Sequence, residues 1–589
     1  MRQAIERSLL LGLTLAWMPV AAHASVTLKV TGLDDTLKAA VVSSVQLSQY
    51  AHHDASAAQV TRLYEKAPDE VKAALRPYGY FNAHATGQIK QVGKNWDVTL
   101  NVDHGAPVKV TAVHIDVPGA AAKLPSVHWL IRRFKPGKGA VLNQGTYAGS
   151  RDAITAALVA AGYLDAKLVT HTVDVTLANN SAVIHLAWQP GTRYRFGKVK
   201  FKGSQFEPGF LQRYVPFKTG EYFEQDQLLA LQQQLNGADY FSVVNVQPDL
   251  AHKHDDTVDI DVQLTPAKRS VYTGGPFYGT DTGPGVQFGL QRRWVNGLGH
   301  KWNNHLVVAQ RLKQLSTLYT IPRPGSIHRA WNFGAKFKDE NTTTSQSRTL
   351  ELIGNQTAMW HGWLVTAGVH VLSGTFTVGK RHDEPDSTPG IERGSSTLVY
   401  PEISLVKKRA DNATFVRHGW SLTVAARGTV GHLLSDTNFT QVVANAKWID
   451  MFARRDRLIL RMDAGTTHVS NFSDLPPQLR FFAGGSRSNR GYGYQALGPT
   501  NSYDRVIGGS RLLVAGATLE HYFTHKWGIA AFVDAGNAFK GENFHAAIGA
   551  GLGLRWLSPV GMLRVDLGVP VNNSRHHGIQ LNIVIGPDL

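Results

Sequence analysis

The stretch Gly374-Thr375-Phe376-Thr377-Val378-Gly379-Lys380 comes within one residue of a phosphate-binding loop, but Arg381 stands where a hydroxyl would hold magnesium. Polar residues follow it instead of a helix, so no helix N-terminus is offered to a phosphate. Gly283-x-Gly285 opens no helix and makes no dinucleotide fingerprint. His52-His53-Asp54 and His576-His577 carry metal-ligating side chains, yet neither has a second ligand group at diagnostic spacing. The 589-residue chain has no cysteine, which removes thiolate chemistry and disulfides together. No nucleophile elbow and no His-Glu-x-x-His occur. These residues predict a protein that is not an enzyme, with no catalytic residues, no metal and no cofactor.

Charge pairing is the chemistry that remains. Arg490 sits between Asn489 and Gly491 in a segment, His468 to Ser510, without a clear strand pattern. Loops beyond about 15 residues in a compact fold are usually functional or disordered. Downstream, Glu520 shares parity with Gly516 and Thr518, opposite Leu513, Ala515, Ala517 and Leu519. Asp534 shares parity with Ala530 and Phe532, opposite Ile529, Ala531 and Val533. On adjacent strands both carboxylates then point to the polar side, where an arginine fork can grip them. A buried guanidinium needs such partners, because an unpaired buried charge is expensive. The expectation is that Arg490 pins its loop to a strand wall through Asp534 and Glu520. The competing reading is a surface arginine with two ordinary polar-face carboxylates.

The elements that position these groups are strands of period two. Leu458, Leu460 and Met462 oppose Arg457, Arg461 and Asp463; Leu563, Val565, Leu567 and Val569 oppose Arg564 and Asp566; Ile579, Leu581, Ile583 and Ile585 oppose Gln580 and Asn582. A membrane barrel shows apolar-out, polar-in alternation, and a soluble sandwich shows the same period with its apolar face inward. Length separates them. Position 266 leaves 323 residues of strand and turn, large for a sandwich and ordinary for about 16 strands of a barrel. The first of these strands is weak: Gly274, Gly275 and Pro276 fall inside it, and proline removes a ladder donor. It should pair poorly with the last strand, Gly578 to Ile585, unless the glycines mark a tight barrel corner.

Ahead of the barrel, a leucine-closed apolar stripe followed by an aromatic recurs three times. The stripes are Val71 and Leu75 before Tyr80-Phe81, Ile154 and Leu158 before Tyr163-Leu164, and Leu228, Leu231 and Leu235 before Tyr240-Phe241. Each predicts a one-faced helix, ended by Gly79, Gly162 and Asn236-Gly237. Alternating strands follow at Val98–Val102, Ile184–Trp188 and Val258–Leu264, so each period fits one small βααββ domain. Arg2 and Arg7, the apolar Leu9 to Val20 and Ala22-His23-Ala24 form the layout of a secretory signal peptide. No later window supplies the roughly 20 apolar residues of a transmembrane helix. The organisation is therefore 1–24 signal peptide, 25–105, 106–190 and 191–266 repeats, and 267–589 barrel. The net charge of +17 suits acidic lipid headgroups, or an arginine-filled lumen with basic loops.

Four segments resemble the BamA/TamA superfamily of outer-membrane barrels. Phe481-Phe482-Ala483-Gly484-Gly485-Ser486-Arg487-Ser488-Asn489-Arg490-Gly491-Tyr492 looks like its lumen-loop motif, with the core Arg490, Gly491, Tyr492. Val533-Asp534-Ala535-Gly536 resembles its Asp-x-Gly strand, and Ser558–Asp566 its penultimate strand. Ile579–Leu589, ending Gly-Pro-acidic-Leu, is closest to the TamA branch, although Leu581, Ile583 and Ile585 stand where many barrel proteins carry aromatics. The resemblance implies three POTRA domains and an outer-membrane location with the repeats in the periplasm. It also implies the same anchoring of Arg490 and a seam, made by Gly274, Gly275, Pro276 and Ile579, Leu581, Ile583, Ile585, that opens sideways so a substrate strand adds to the edge. Implied partners are a TamB-like inner-membrane-anchored protein, unfolded outer-membrane clients such as autotransporters, and the bilayer with its lipopolysaccharide, with no nucleic acid. The implied function is assembly of outer-membrane proteins. Phospholipid transport with the same partner and a dedicated two-partner secretion pore remain alternatives.

Overall fold

The computed structural model describes residues 25–51, 53–324, 327–380, 384–385, 387–412, 415–429, 431, 434–558, 561–572 and 578–586. Residues 1–24, expected to be a signal peptide, together with His52, Arg381, Pro559-Val560, His576-His577 and the final Pro587-Asp588-Leu589, lie outside the described residues. The chain divides into two compact units, one of residues up to 198 with 218–227 and 250–259, the other of 199–217, 228–249 and 260–589.

The first repeat runs β1 (Val26–Thr31), α1 (Asp35–Ser44), α2 (Ala57–Leu75), β2 (His84–Val92) and β3 (Asn95–Asp103), with sheet order β1-β3-β2. β1 lies parallel to β3 and β2 antiparallel to it, since a parallel neighbour needs the helical crossover and an antiparallel one only a turn. Asp34 caps α1 by accepting from Leu37 N–H at 2.9 Å, and Ser56 caps α2 through Gln59 N–H. The second repeat repeats this with β4 (Lys109–Asp116), α3 (Pro125–Arg132), α4 (Gln144–Ala160), β5 (Lys167–Thr176) and β6 (Ser181–Gln189), in order β4-β6-β5. The third has β7 (Arg195–Lys202), α5 (Pro208–Leu211), α6 (Gln225–Gly237), β8 (Phe241–Pro248) and β9 (Thr257–Pro266), in order β7-β9-β8. The apolar stripes of α2, α4 and α6 and the inward residues of β3, β6 and β9 are all buried.

Two of the three helix stops are left-handed glycines, Gly79 at φ 91° and Gly162 at φ 96°. The third differs from expectation. α6 runs through Asn236 to Gly237, and the positive φ of 61° falls on Asp239. Aspartate tolerates this conformation, and there its carboxylate accepts from Arg293 Nε at 3.0 Å and Gln291 Nε2 at 3.1 Å.

Sixteen antiparallel strands, β10 to β25, form one sheet in strict sequence order that curls into a nearly closed barrel. It starts at β10 (Ser270–Gly279) and β11 (Gly283–Arg292) and ends at β24 (Gly561–Pro570) and β25 (Gln580–Gly586). Apolar residues of one parity are exposed along it: Leu552 is 69% exposed, Ile529 54% and Leu567 50%. The opposite parity, with Thr518, Glu520, Asp534 and Asp566, is buried. A sandwich would bury the apolar parity. A continuous apolar exterior over a polar interior requires hydrocarbon outside.

Candidate functional site: the lumen loop and the barrel seam

β20 (Asp456–Val469) and β21 (Arg511–Tyr522) are joined by the long loop, whose local order includes two short 3-10 helices at Phe472–Asp474 and Pro477–Leu479 and antiparallel bridges of Phe481 with Gly509, Ala483 with Leu497 and Thr500 with Val506. The loop is fastened at intervals. Arg480 donates to the carbonyls of Leu475, Ser473 and Ile507, Gln478 to Ser347 Oγ, and Arg505 to Gly379 O and Glu384.

The centre of the loop is the Arg490 segment, set against β21, β22 (Trp527–Phe539), β23 (Ala547–Ser558) and β24. Arg490 Nε donates to Asp534 Oδ2 at 2.7 Å and Nη2 to Asp534 Oδ1 at 2.9 Å, while its backbone N–H donates to Oδ2 at 3.0 Å. Nη1 donates to Asp566 Oδ2 at 3.1 Å and Nη2 to Thr518 Oγ1 at 2.9 Å. The Phe532 ring lies under the guanidinium with its centroid 3.7 Å away.

Glu520, expected as the second partner of Arg490, is not joined to it. Parity sets the face of a residue but not its height along the strand. Asp534 pairs in register with Gly516, and Glu520 lies four positions further along β21, roughly 13 Å away at the rise of a strand. Glu520 instead accepts from Arg555 Nε at 2.6 Å and from Arg457 Nη2 at 2.6 Å, with the Tyr522 hydroxyl donating at 2.9 Å. Asp566 closes the gap by accepting Arg555 Nη1 at 2.6 Å on its other oxygen. With Arg461 Nη2 2.9 Å from Asp534 Oδ1, seven groups alternate in sign: Arg461, Asp534, Arg490, Asp566, Arg555, Glu520, Arg457. Each cation thus meets an anion in a water-poor interior, where a lone charge would cost several kcal/mol.

The neighbours of Arg490 are held by backbone fit. Asn489 Nδ2 donates to Ala547 O at 2.7 Å, and the buried Tyr492 donates through its hydroxyl to Ile548 O at 3.2 Å. A Cβ on Gly491 would stand 2.6 Å from both Gly549 Cα and Val569 O, so only glycine lets the loop lie flush on the wall. Arg490 O accepts from Asn582 Nδ2 of the last strand at 3.0 Å.

β10 and β25 occupy the two ends of the sheet, and no ladder joins them among the described residues. Gly274, Gly275 and Pro276 pair on their other side with Phe288, Gln287 and Val286 of β11. Ile579 precedes β25 rather than lying in it, whereas Leu581, Ile583 and Ile585 are in the strand. The first-to-last contact runs through a turn. Ile583 N–H donates to Thr280 Oγ1 at 3.1 Å, and the next residue, Asp281, accepts from Ser486 Oγ of the loop at 3.1 Å. A lumen cavity of about 810 Å³ opens here, lined by Phe277, Asp281, Lys336, Arg427, Arg487 and Ile583.

Sequence reasoning did not find Asp566, Arg555, Arg457 or Arg461 as partners. Their polar-face parity was visible for all but Arg555, but which cation meets which anion depends on register and barrel curvature. Thr280 and Asp281 carried no signal, being ordinary turn residues.

Comparison with known proteins agrees with this geometry. An Omp85 superfamily domain profile matches residues 295–586, a profile described as POTRA domain TamA domain 1 matches 27–104, and one described as surface antigen variable number repeat matches 194–267. The outer membrane protein assembly factor BamA of Neisseria meningitidis serogroup B is 23% identical over 208 residues, 32% of this chain and 26% of that protein. BamA of Nitratidesulfovibrio vulgaris is 23% identical over 374 residues, 62% of this chain and 47% of that protein. The chain thus spans about a quarter and about half the length of these relatives. Among solved structures, BamA from Haemophilus ducreyi lacking POTRA domains 1-3 superposes with a TM-score of 0.67 at 17% identity, covering 81% of this chain and 99% of that one.

Proposed function

Because the chain belongs to the Omp85 superfamily, with its barrel in the outer membrane and its POTRA repeats in the periplasm, we propose that it assembles client outer-membrane proteins at the seam between β10 and β25. The observation that carries this reading is that, among the described residues, the two end strands share no ladder and meet through Thr280 and Ile583. Free strand edges bind an extended chain by backbone hydrogen bonds, which accept many sequences. A client β-strand is such a chain, and the apolar exterior beside the seam carries it directly into lipid. No cofactor and no covalent step enter this scheme. Gly274, Gly275 and Pro276 on one edge and Leu581, Ile583 and Ile585 on the other are the groups a client would meet, with Ile579 at the entrance. Arg490-Gly491-Tyr492, anchored by Asp534, keeps the loop in the lumen behind that edge.

The finer reading is a TamA-like factor that serves clients such as autotransporters together with a TamB-like partner reaching across the periplasm. The match of residues 27–104 to the TamA-type first POTRA domain supports it.

A disulfide across the seam tests the mechanism. The chain has no cysteine of its own, so Thr280→Cys with Ile583→Cys gives a single possible bridge. Oxidised protein should lose client insertion and recover it on reduction. Full activity of the oxidised, verified cross-linked protein would reject the seam as the site.

A further inference from the structure

The second repeat carries a feature that assembly at the seam does not use. Between Val117 and Arg151 the sequence holds six lysines and arginines and no aspartate or glutamate. The structure sets two of them, Arg132 and Arg133, beside one exposed aromatic. On α3, Trp129, Arg132 and Arg133 fall at i, i+3 and i+4 and so share a face. Trp129 is 53% exposed, and the Arg133 guanidinium stands 4.8 Å from its ring centroid. The chain then turns through Phe134 to Gly139, bringing Lys135 and Lys138 to the surface. Arg133 and Lys135 flank an open cleft of about 660 Å³ with Phe134, Pro136 and Val141 in its lining. Among the described residues none of Arg132, Arg133, Lys135 or Lys138 has a carboxylate partner, whereas Arg151 pairs with Asp152 at 2.9 Å.

We propose that this face, Trp129 with Arg132, Arg133, Lys135 and Lys138, docks on anionic phospholipid headgroups of the periplasmic leaflet of the outer membrane. The chemistry selects the occupant. Unpaired cations attract phosphodiesters, and an exposed indole with a polar N–H and an apolar body prefers the headgroup level of a bilayer. An ordinary solvated face would carry both signs of charge and no large exposed indole. The long aliphatic stems of the lysines and arginines can lie along the interface with their charged ends at phosphate.

The test uses the full chain. Ala140→Cys places one thiol at the rim of the cleft for an environment-sensitive fluorophore. The labelled protein is reconstituted in bilayers of phosphatidylcholine, with or without phosphatidylglycerol. The anionic bilayer should shift emission to the blue and brighten it, and raising salt to about 1 M should reverse this as the screening length falls to roughly 3 Å. Replacing all four cations by glutamine should abolish the response, each cation contributing about fivefold to docking at low salt. Trp129→Ser should weaken it while leaving its salt dependence. Lys123→Gln/Arg151→Gln, outside the face, should leave the response intact and shows that the repeat stays folded. Identical emission in both bilayers, or a response that survives the four replacements, would overturn the proposal. So would a response to an added acidic polypeptide with none to lipid.

Discussion

Arg490 Nη1 and Asp566 Oδ2 lie 3.1 Å apart, so a single guanidinium joins the lumen loop to the penultimate strand as well as to Asp534 on β22. Asp566 also receives Arg555, so the loop contact and the Arg555–Glu520–Arg457 cluster share one carboxylate.

That shared carboxylate makes a prediction that separates direct from indirect partners. A double-mutant cycle of Arg490→Ala with Asp566→Asn should show a coupling of about 1–3 kcal/mol. The cycle of Arg490→Ala with Glu520→Gln should give less than half of it. Glu520→Gln, which leaves Arg457 with no carboxylate, should cost about 3–5 kcal/mol, and Asp566→Asn, after which Arg490 keeps Asp534 and Arg555 keeps Glu520, should cost less. Urea unfolding in lipid vesicles measures both cycles, and equal couplings would refute the assigned order of pairs.

Gly491 tests the fit of the loop to the wall. Gly491→Ala forces a methyl against Gly549 and Val569 O and should destabilise the seated loop by about 1–3 kcal/mol. Gly493→Ala is the control, because a Cβ there meets nothing nearer than 3.7 Å. Protease cleavage within 470–510 should rise for the first variant and stay unchanged for the second.

Thr280 and Ser486 test the contact that bridges the end strands. Thr280→Val keeps the shape but removes the acceptor of Ile583 N–H, a bond worth about 1 kcal/mol net. Reaction of a thiol at Ile583→Cys with a membrane-permeant reagent should speed up about fivefold. Ser486→Ala, which frees Asp281 from the loop, should raise the rate by a smaller factor. Unchanged rates in both would mean that the turn does not govern access to the edge.

The periplasmic arm should respond to acid at one pair. Lys253 Nζ donates to Asp165 Oδ1 and the Tyr194 hydroxyl donates to Asp165 Oδ2 at 2.6 Å. The Lys253 and then the Tyr194 hydrogen bond hold the Asp165 carboxyl below the usual carboxylate range. A depressed folded value means the stabilisation is complete above the unfolded pKa of about 3.9 and is lost as pH falls through the folded one. Asp165 is 43% exposed, so solvent screening keeps the effect below about 1 kcal/mol. Limited proteolysis around residues 190–194 should accelerate in the native chain as pH falls from about 4 toward about 3. Asp165→Asn should cleave at the faster rate throughout and lose the pH dependence.

Much of this architecture was legible because its signals are periodic. Stripes such as Leu228, Leu231 and Leu235 and runs such as Leu458, Leu460 and Met462 report which face is apolar, and the structure places both sets accordingly. The lumen motif was legible by resemblance, and Asp534 by parity. Glu520 failed as a partner for Arg490 because alternation carries no information on height across neighbouring strands. Asp566 stood on the correct face but in a strand that pairs with neither of those bearing Asp534 and the loop. The α6 boundary failed for a related reason: Asp239 takes the left-handed conformation because Arg293 and Gln291, far away in sequence, receive its carboxylate.

The strands of the barrel differ in length, and the difference is not random around the wall. β10 and β11 have ten residues each, against sixteen in Ser345–Trp360 and in Trp363–Val378 and nineteen in Glu392–Ala410. At about 3.4 Å per residue and a tilt near 40°, ten residues rise roughly 26 Å, about the height of the apolar band of an outer-membrane barrel, whereas sixteen to nineteen rise roughly 42–50 Å. The long strands therefore carry the wall far from the seam well past the hydrocarbon into water, while the first strands beside the seam end near its surface.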